Sequence, residues 1–126
     1  MHEDEGWIRR AESALQEAQA LLDAGFPPAS ITRSYYAMFY AARALLSSKE
    51  VSPKSHGGTL QKLGELFVKP GLLSAEQTAA MGAAMELRQQ ADYSVSASAL
   101  DDTKAQEVLA AAGTFVEAAR DLLRPA

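Results

Sequence analysis

Apolar residues return at three- and four-residue steps along most of the chain, and no stretch alternates as a half-buried strand requires. Trp7, Ala11, Ala14, Leu15, Ala18, Leu21 and Leu22 form the first such series and predict an amphipathic helix ending near Gly25, where Phe26-Pro27-Pro28 breaks it. A second helix is predicted from Pro28 or Ala29 to about Ser48, because proline fits a first helical turn and no breaker follows. Ser52-Pro53 predicts the start of a third, with a hydroxyl to cap it, Leu60, Leu63, Leu66 and Phe67 facing inward, and a stop at Lys69-Pro70-Gly71. Ser74-Ala75-Glu76-Gln77 matches a capping box. In the fourth helix that follows, Ala80, Ala84, Leu87 and Ala91 share one face, and Met81, Met85, Arg88 and Asp92 share the adjoining stripe. Tyr93 to Leu100, rich in Ser and Ala, reads as a loop. Asp101 or Asp102 caps a last helix, in which Ala105, Val108, Leu109, Ala112, Phe115, Val116, Ala119, Leu122 and Leu123 keep the cleanest period.

The second helix differs from the rest. Between Arg33 and Leu46 it packs three tyrosines and a phenylalanine into six positions, with Arg43 as its one interior charge. A helix that is apolar nearly all round needs cover on most sides, so this one should be the centre of the bundle. Tyr36 and Tyr40 share a stripe with Arg33 and Arg43, which makes that stripe a candidate binding face. The same lack of a polar face predicts a homodimer. The fold expected is all-α, an up-and-down bundle of four long helices plus one short helix, in a single domain over residues 1–126.

Charge refines the picture. The net charge is −4, which argues against nonspecific DNA binding, since that relies on lysine and arginine neutralising phosphates. Residues 33–69 nevertheless carry +4 and the remainder −8, so the acidic chain has a basic middle that could hold an anion locally or consist simply of ordinary solvated helix faces. There is no cysteine, which removes disulfides and thiolate metal sites. No segment has the roughly 18 apolar residues that cross a bilayer, and Met1 to Glu5 is acidic. A cytoplasmic protein without a membrane role is the expectation.

Few residues offer chemistry. Two histidines without cysteines, in neither a His-x-x-x-His nor a Glu-x-x-His pair, give no metal site, and no P-loop, nucleophile elbow or dinucleotide fingerprint occurs, so no cofactor is expected. His2 sits at the terminus, which leaves His56 as the imidazole to watch. Lys54 and His56, at a predicted helix start with Gly57 and Gly58, could hold a small anion; alternatively the glycines admit a neighbouring helix and His56 bonds a core tyrosine. Arg88 and Asp92 stand at ion-pair spacing on one helix face, close in sequence to Tyr93.

Three segments, Arg33 to Leu46, Lys54-Ser55-His56-Gly57-Gly58 with Phe67-Val68-Lys69, and Leu87-Arg88-Gln89-Gln90-Ala91-Asp92-Tyr93, together resemble the HEPN domain, in particular its small stand-alone prokaryotic branch. The resemblance spans about residues 7 to 123. It implies a dimeric bundle of four long helices with a short extra one, often encoded beside a minimal nucleotidyltransferase as a toxin–antitoxin pair. Many HEPN proteins are metal-independent ribonucleases, with an arginine followed after four to six residues by a histidine. Arg88 matches the arginine, but Tyr93 stands where the histidine belongs, and a phenol with a pKa of about 10 is a poor base at neutral pH. The resemblance therefore implies a noncatalytic or weakly catalytic member that binds a nucleotide-like anion through Arg33, Tyr36, Tyr40, Lys54, His56 and Arg88, or pairs with a nucleotidyltransferase that modifies Tyr93. The alternatives are a ribonuclease acting on RNA with Arg88, Asp92, Tyr93 and His56 in an altered site, and a bundle with a purely structural or interaction role.

Overall fold

The computed structural model describes residues 3–93 and 100–125. Five helices account for nearly all of them: α1 (Glu3–Asp23), α2 (Pro27–Ser47), α3 (His56–Leu63), α4 (Ala75–Tyr93) and α5 (Asp102–Leu123), with no strand among the described residues. The all-α bundle of four long helices and one short one is thus the observed fold. No helix is long and apolar enough to cross a membrane. His2 and most of the predicted loop after α4, residues 94–99, lie outside the described residues.

Glu3, Asp4 and Glu5 sit in the first turn of α1, where carboxylates complement the positive end of the helix dipole. Ala11, Ala14 and Ala18 are its buried positions, and their small side chains let α1 lie close along α2. The helix closes with Phe26 N–H on the Leu21 carbonyl and Gly25 N–H on that of Leu22, and Gly25 takes the positive φ (89°) this motif demands. Pro27 and Pro28 then occupy the first positions of α2. Ser30 ties the two helices by donating its hydroxyl to the Ala18 carbonyl at 2.7 Å.

Helix α2 is the bundle centre. It packs on all four other helices and buries eleven residues, Tyr35, Met38 and Leu45 among them. Its end repeats the α1 closure, with Val51 N–H on the Leu46 carbonyl and Glu50 N–H on that of Ser47, but here the left-handed position (φ 59°) falls to Glu50.

The third helix starts three residues later than Ser52-Pro53 predicts. Arg43 donates Nη1 to the Pro53 carbonyl, which takes the acceptor that a helix begun there would use for itself, and Ser55 becomes the cap, accepting from Gly58 N–H at 2.9 Å. Gly58 is required by that cap, because a Cβ there would stand 2.9 Å from the Ser55 hydroxyl. A π-helical turn, Gly64–Val68, continues α3 and turns Phe67 into the core.

The capping box before α4 is formed in both directions: Ser74 N–H donates to Gln77 Oε1 at 3.0 Å and Gln77 N–H to Ser74 Oγ at 3.1 Å. The helix runs on through Tyr93, which the sequence pattern places in the loop. Its buried positions are Met81 and Ala84, so the inward line is the seam between the two predicted stripes. Asp101 caps α5 by accepting from Lys104 N–H, and Ala105, Val108, Ala112, Phe115, Val116 and Ala119 are buried as their period predicts. Leu109, Leu122 and Leu123 remain half-buried.

Candidate functional site

The period of α2 turns Tyr35 fully inward and leaves Tyr36, Phe39 and Tyr40 half-exposed. His56, the first residue of α3, is brought over them by the loop that Arg43 holds at Pro53. Its Nδ1 is hydrogen-bonded to the Tyr35 hydroxyl. The imidazole lies nearly parallel to Phe39 at 4.3 Å and to Tyr35 at 5.6 Å, while Tyr36 meets it edge-on at 6.2 Å. The histidine is therefore fixed in plane and in direction.

Arg88 enters from α4. Its guanidinium lies 5.4 Å from the centre of the Tyr35 ring and 5.8 Å from that of Tyr36, a cation–π arrangement on the same two tyrosines. Asp92, one turn on, accepts from Nη1 at 3.1 Å, and the arginine side chain is only 15% exposed. Its Nε is buried and has no partner among the described residues. A buried donor without a partner is uncommon, and it leaves the hydrogen bonding of this otherwise anchored arginine incomplete.

The electrostatics follow from this placement. Burial, then the cations of Arg88 and Arg43, lower the His56 pKa below its ordinary value, so the ring is neutral at pH 7. Burial pushes the Tyr35 phenol up to about 12; Arg88 opposes that shift and Tyr36 adds to it.

A second cluster continues from the first along α1 and α2. Arg33 lies 5.5 Å from the Tyr36 ring and is paired with Glu17 at 3.0 Å. Tyr36 packs on Tyr40, which stacks on Trp7 at 5.8 Å. Arg10 covers the Tyr40 ring at 4.3 Å and donates to its hydroxyl at 3.1 Å, and Arg43 lies 5.2 Å from Trp7. Arg33, Tyr36, Tyr40 and Arg43 thus do form a stripe, and Tyr36 links it to both His56 and Arg88. Beside it, between the α1–α2 turn and the end of α4, opens a groove of about 520 Å³ whose walls include Phe26, Arg33 and Asp92.

Two of the predicted site residues stand apart. Tyr93 is 81% exposed and shares the outer face of α4 with Glu86, Gln89 and Gln90, because five residues of helix turn a side chain about 140° away from Arg88. An Arg-x4-Tyr catalytic site is therefore not assembled within this chain. Lys54 is exposed, with no described hydrogen bond or ion pair to the cluster. His56 bonds a core tyrosine, as one of the two sequence readings has it, but the glycines admit no neighbouring helix: Gly57 faces open space and Gly58 serves the cap. Sequence reasoning passes over Phe39, Trp7 and Arg10 as site residues, although Phe39 stands four residues after Tyr35 and Arg10 three after Trp7, spacings that place rings and cations together on a helix. Among the described residues no group of His, Asp and Glu could hold a metal ion.

Fold and cluster define a class, a small helical-bundle domain whose central helix carries an aromatic, arginine-lined site. The particular family follows from comparison: residues 5–122 match the HEPN domain, and the chain belongs to that family. It is 36% identical to a UPF0332 protein of Gloeobacter violaceus over 121 residues, 96% of each chain. It is 29% identical to "Putative toxin MJ0605" of Methanocaldococcus jannaschii, over 93% of this chain and 86% of that one. The crystal structure of TT1696 from Thermus thermophilus superposes with a TM-score of 0.84 over 98% of this chain and all of the other, at 18% identity, and so shares the fold.

Proposed function

We propose that this HEPN protein is the toxin-class half of a two-component module, binding a nucleotide-like anion at Arg88 and His56 and working with a minimal nucleotidyltransferase. The observation that carries the reading is the meeting of Arg88, braced by Asp92, and neutral His56, braced by Tyr35, on the Tyr35–Tyr36 pair, with Arg88 Nε buried and unpartnered among the described residues. Two anchored donors among aromatic rings suit a phosphate attached to a base that can stack on Tyr36. The names of two relatives support the toxin assignment. Exposed Tyr93 is the residue this reading offers to the partner enzyme for modification. Calorimetric titration with AMP tests the binding step. Wild type is expected to bind and Arg88→Ala to lose about tenfold or more, the worth of a charge-assisted hydrogen bond; no binding by wild type at millimolar AMP would refute it.

The convergence of Arg88 with His56 rather than Tyr93 favours one second reading, a metal-independent ribonuclease in which the imidazole replaces the missing motif histidine. RNA incubated with the protein in EDTA decides it: cleavage abolished by both Arg88→Ala and His56→Ala supports a nuclease, and cleavage indifferent to Arg88 retires it.

A further inference from the structure

Tyr35 and His56 share one hydrogen bond, and their surroundings decide where its proton lies. The Tyr35 side chain is fully buried, and its hydroxyl has no second partner among the described residues. Were that hydroxyl to accept a proton from Nδ1–H, its own proton would be left without an acceptor in the interior, which costs the desolvation of an unpaired donor. Donation from the hydroxyl to Nδ1 satisfies both groups, and it requires a neutral imidazole whose single proton sits on Nε2.

Two further protonation patterns fail on similar grounds. An imidazolium would make both ring nitrogens donors, orphan the tyrosine proton, and add a third cation beside Arg88 and Arg43. A tyrosinate would form only near pH 12. Nor does the ring escape by turning over, since that would set a carbon against the Tyr35 hydroxyl and forfeit the hydrogen bond, while the imidazole stays stacked on Phe39.

We propose that Tyr35 is a positioning residue that fixes His56 as its Nε2–H tautomer, so that the imidazole meets a ligand as a hydrogen-bond donor and, with the Arg88 guanidinium, selects a group that presents acceptor oxygens to both, such as phosphate. The ligand half rests on the anion-binding reading above. The consequence is specific: drawing a proton from a ribose hydroxyl at Nε2 would first require exchange of the tautomer, which orphans the Tyr35 proton. The group that would serve a nuclease as its base is turned into a second donor by its tyrosine neighbour.

Long-range proton–nitrogen NMR of the ligand-free protein near pH 7.5 reads the tautomer directly. Wild type is expected to show a pyridine-like Nδ1 and a pyrrole-like Nε2, and Tyr35→Phe to show shifts averaged between tautomers. An Nδ1–H or averaged ring in wild type overturns the proposal, as does a Tyr35→Phe spectrum identical to wild type. Inorganic phosphate then probes the ligand half. His56→Gln, which sets an amide N–H near the place of Nε2, is expected to bind within about threefold of wild type, and His56→Ala to lose about tenfold, the scale of a hydrogen bond to an anion. Glutamine no better than alanine overturns the donor role. The expected tautomer without phosphate binding by wild type overturns the anion-binding reading and leaves the tautomer assignment standing.

Discussion

The neutral state of His56 is a property of its neighbours, and stability should report it. Arg88 from α4, Arg43, Tyr35 and Tyr36 from α2, and Lys54 in the preceding loop are the ionisable groups around it, and burial with the two arginines lowers its pKa. Below a pKa of about 6.5 the unfolded chain takes up this proton while the folded chain still resists, so unfolding binds a proton and stability rises with pH across that window. The contribution is complete above about pH 6.5 and is lost as pH falls through it toward the folded value. Urea midpoints measured from pH 8 down to pH 5 are expected to fall more steeply for wild type than for His56→Gln; parallel slopes would place the titration elsewhere. At this scale the sequence is legible where chemistry is local. Arg88 and Asp92 pair as their spacing predicts, whereas Tyr93 departs from expectation because adjacency in the chain is not adjacency on a helix.

Helix ends show how local rules compete. Ser52-Pro53 is the start the sequence offers for α3, but Ser55 is the one used, because Arg43, ten residues before Pro53, takes the Pro53 carbonyl. Ser55→Ala is expected to cost about 1 kcal/mol in chemical denaturation and to loosen His56, the residue it precedes, whereas Ser52→Ala should be near neutral. At the end of α2 a glutamate holds the left-handed position where glycine carries no Cβ penalty. Glu50→Gly is expected to raise stability by about 0.5–1 kcal/mol; an unchanged or lowered denaturation midpoint would show that Glu50 has a compensating role. The Ser74–Gln77 box and the Asp101 cap are readable from sequence because each is complete within four residues.

At the scale of the molecule, α2 is covered by α1, α3, α4 and α5 on most sides, yet Tyr36, Phe39, Tyr40 and Arg43 stay half-exposed beside Trp7. A continuous aromatic strip of this kind is what a second copy would cover, and light scattering at micromolar concentration is expected to return the mass of a dimer. A monomer would leave the strip to a different partner.

The sequence by itself determined which segments are helices, the inward faces of all but α4, the central place of the aromatic segment and the family, since all of these rest on periodicity, capping and motif order within short windows. Only the tertiary structure decided that His56 bonds Tyr35, that Arg88 covers the same tyrosine, and that Tyr93 faces away from both. The physical reason is that a site is made by side chains distant in the chain. Whether an imidazole is donor or base, and whether a tyrosine beside an arginine meets it, depends on the rotation and packing of whole helices, which no window of the sequence contains.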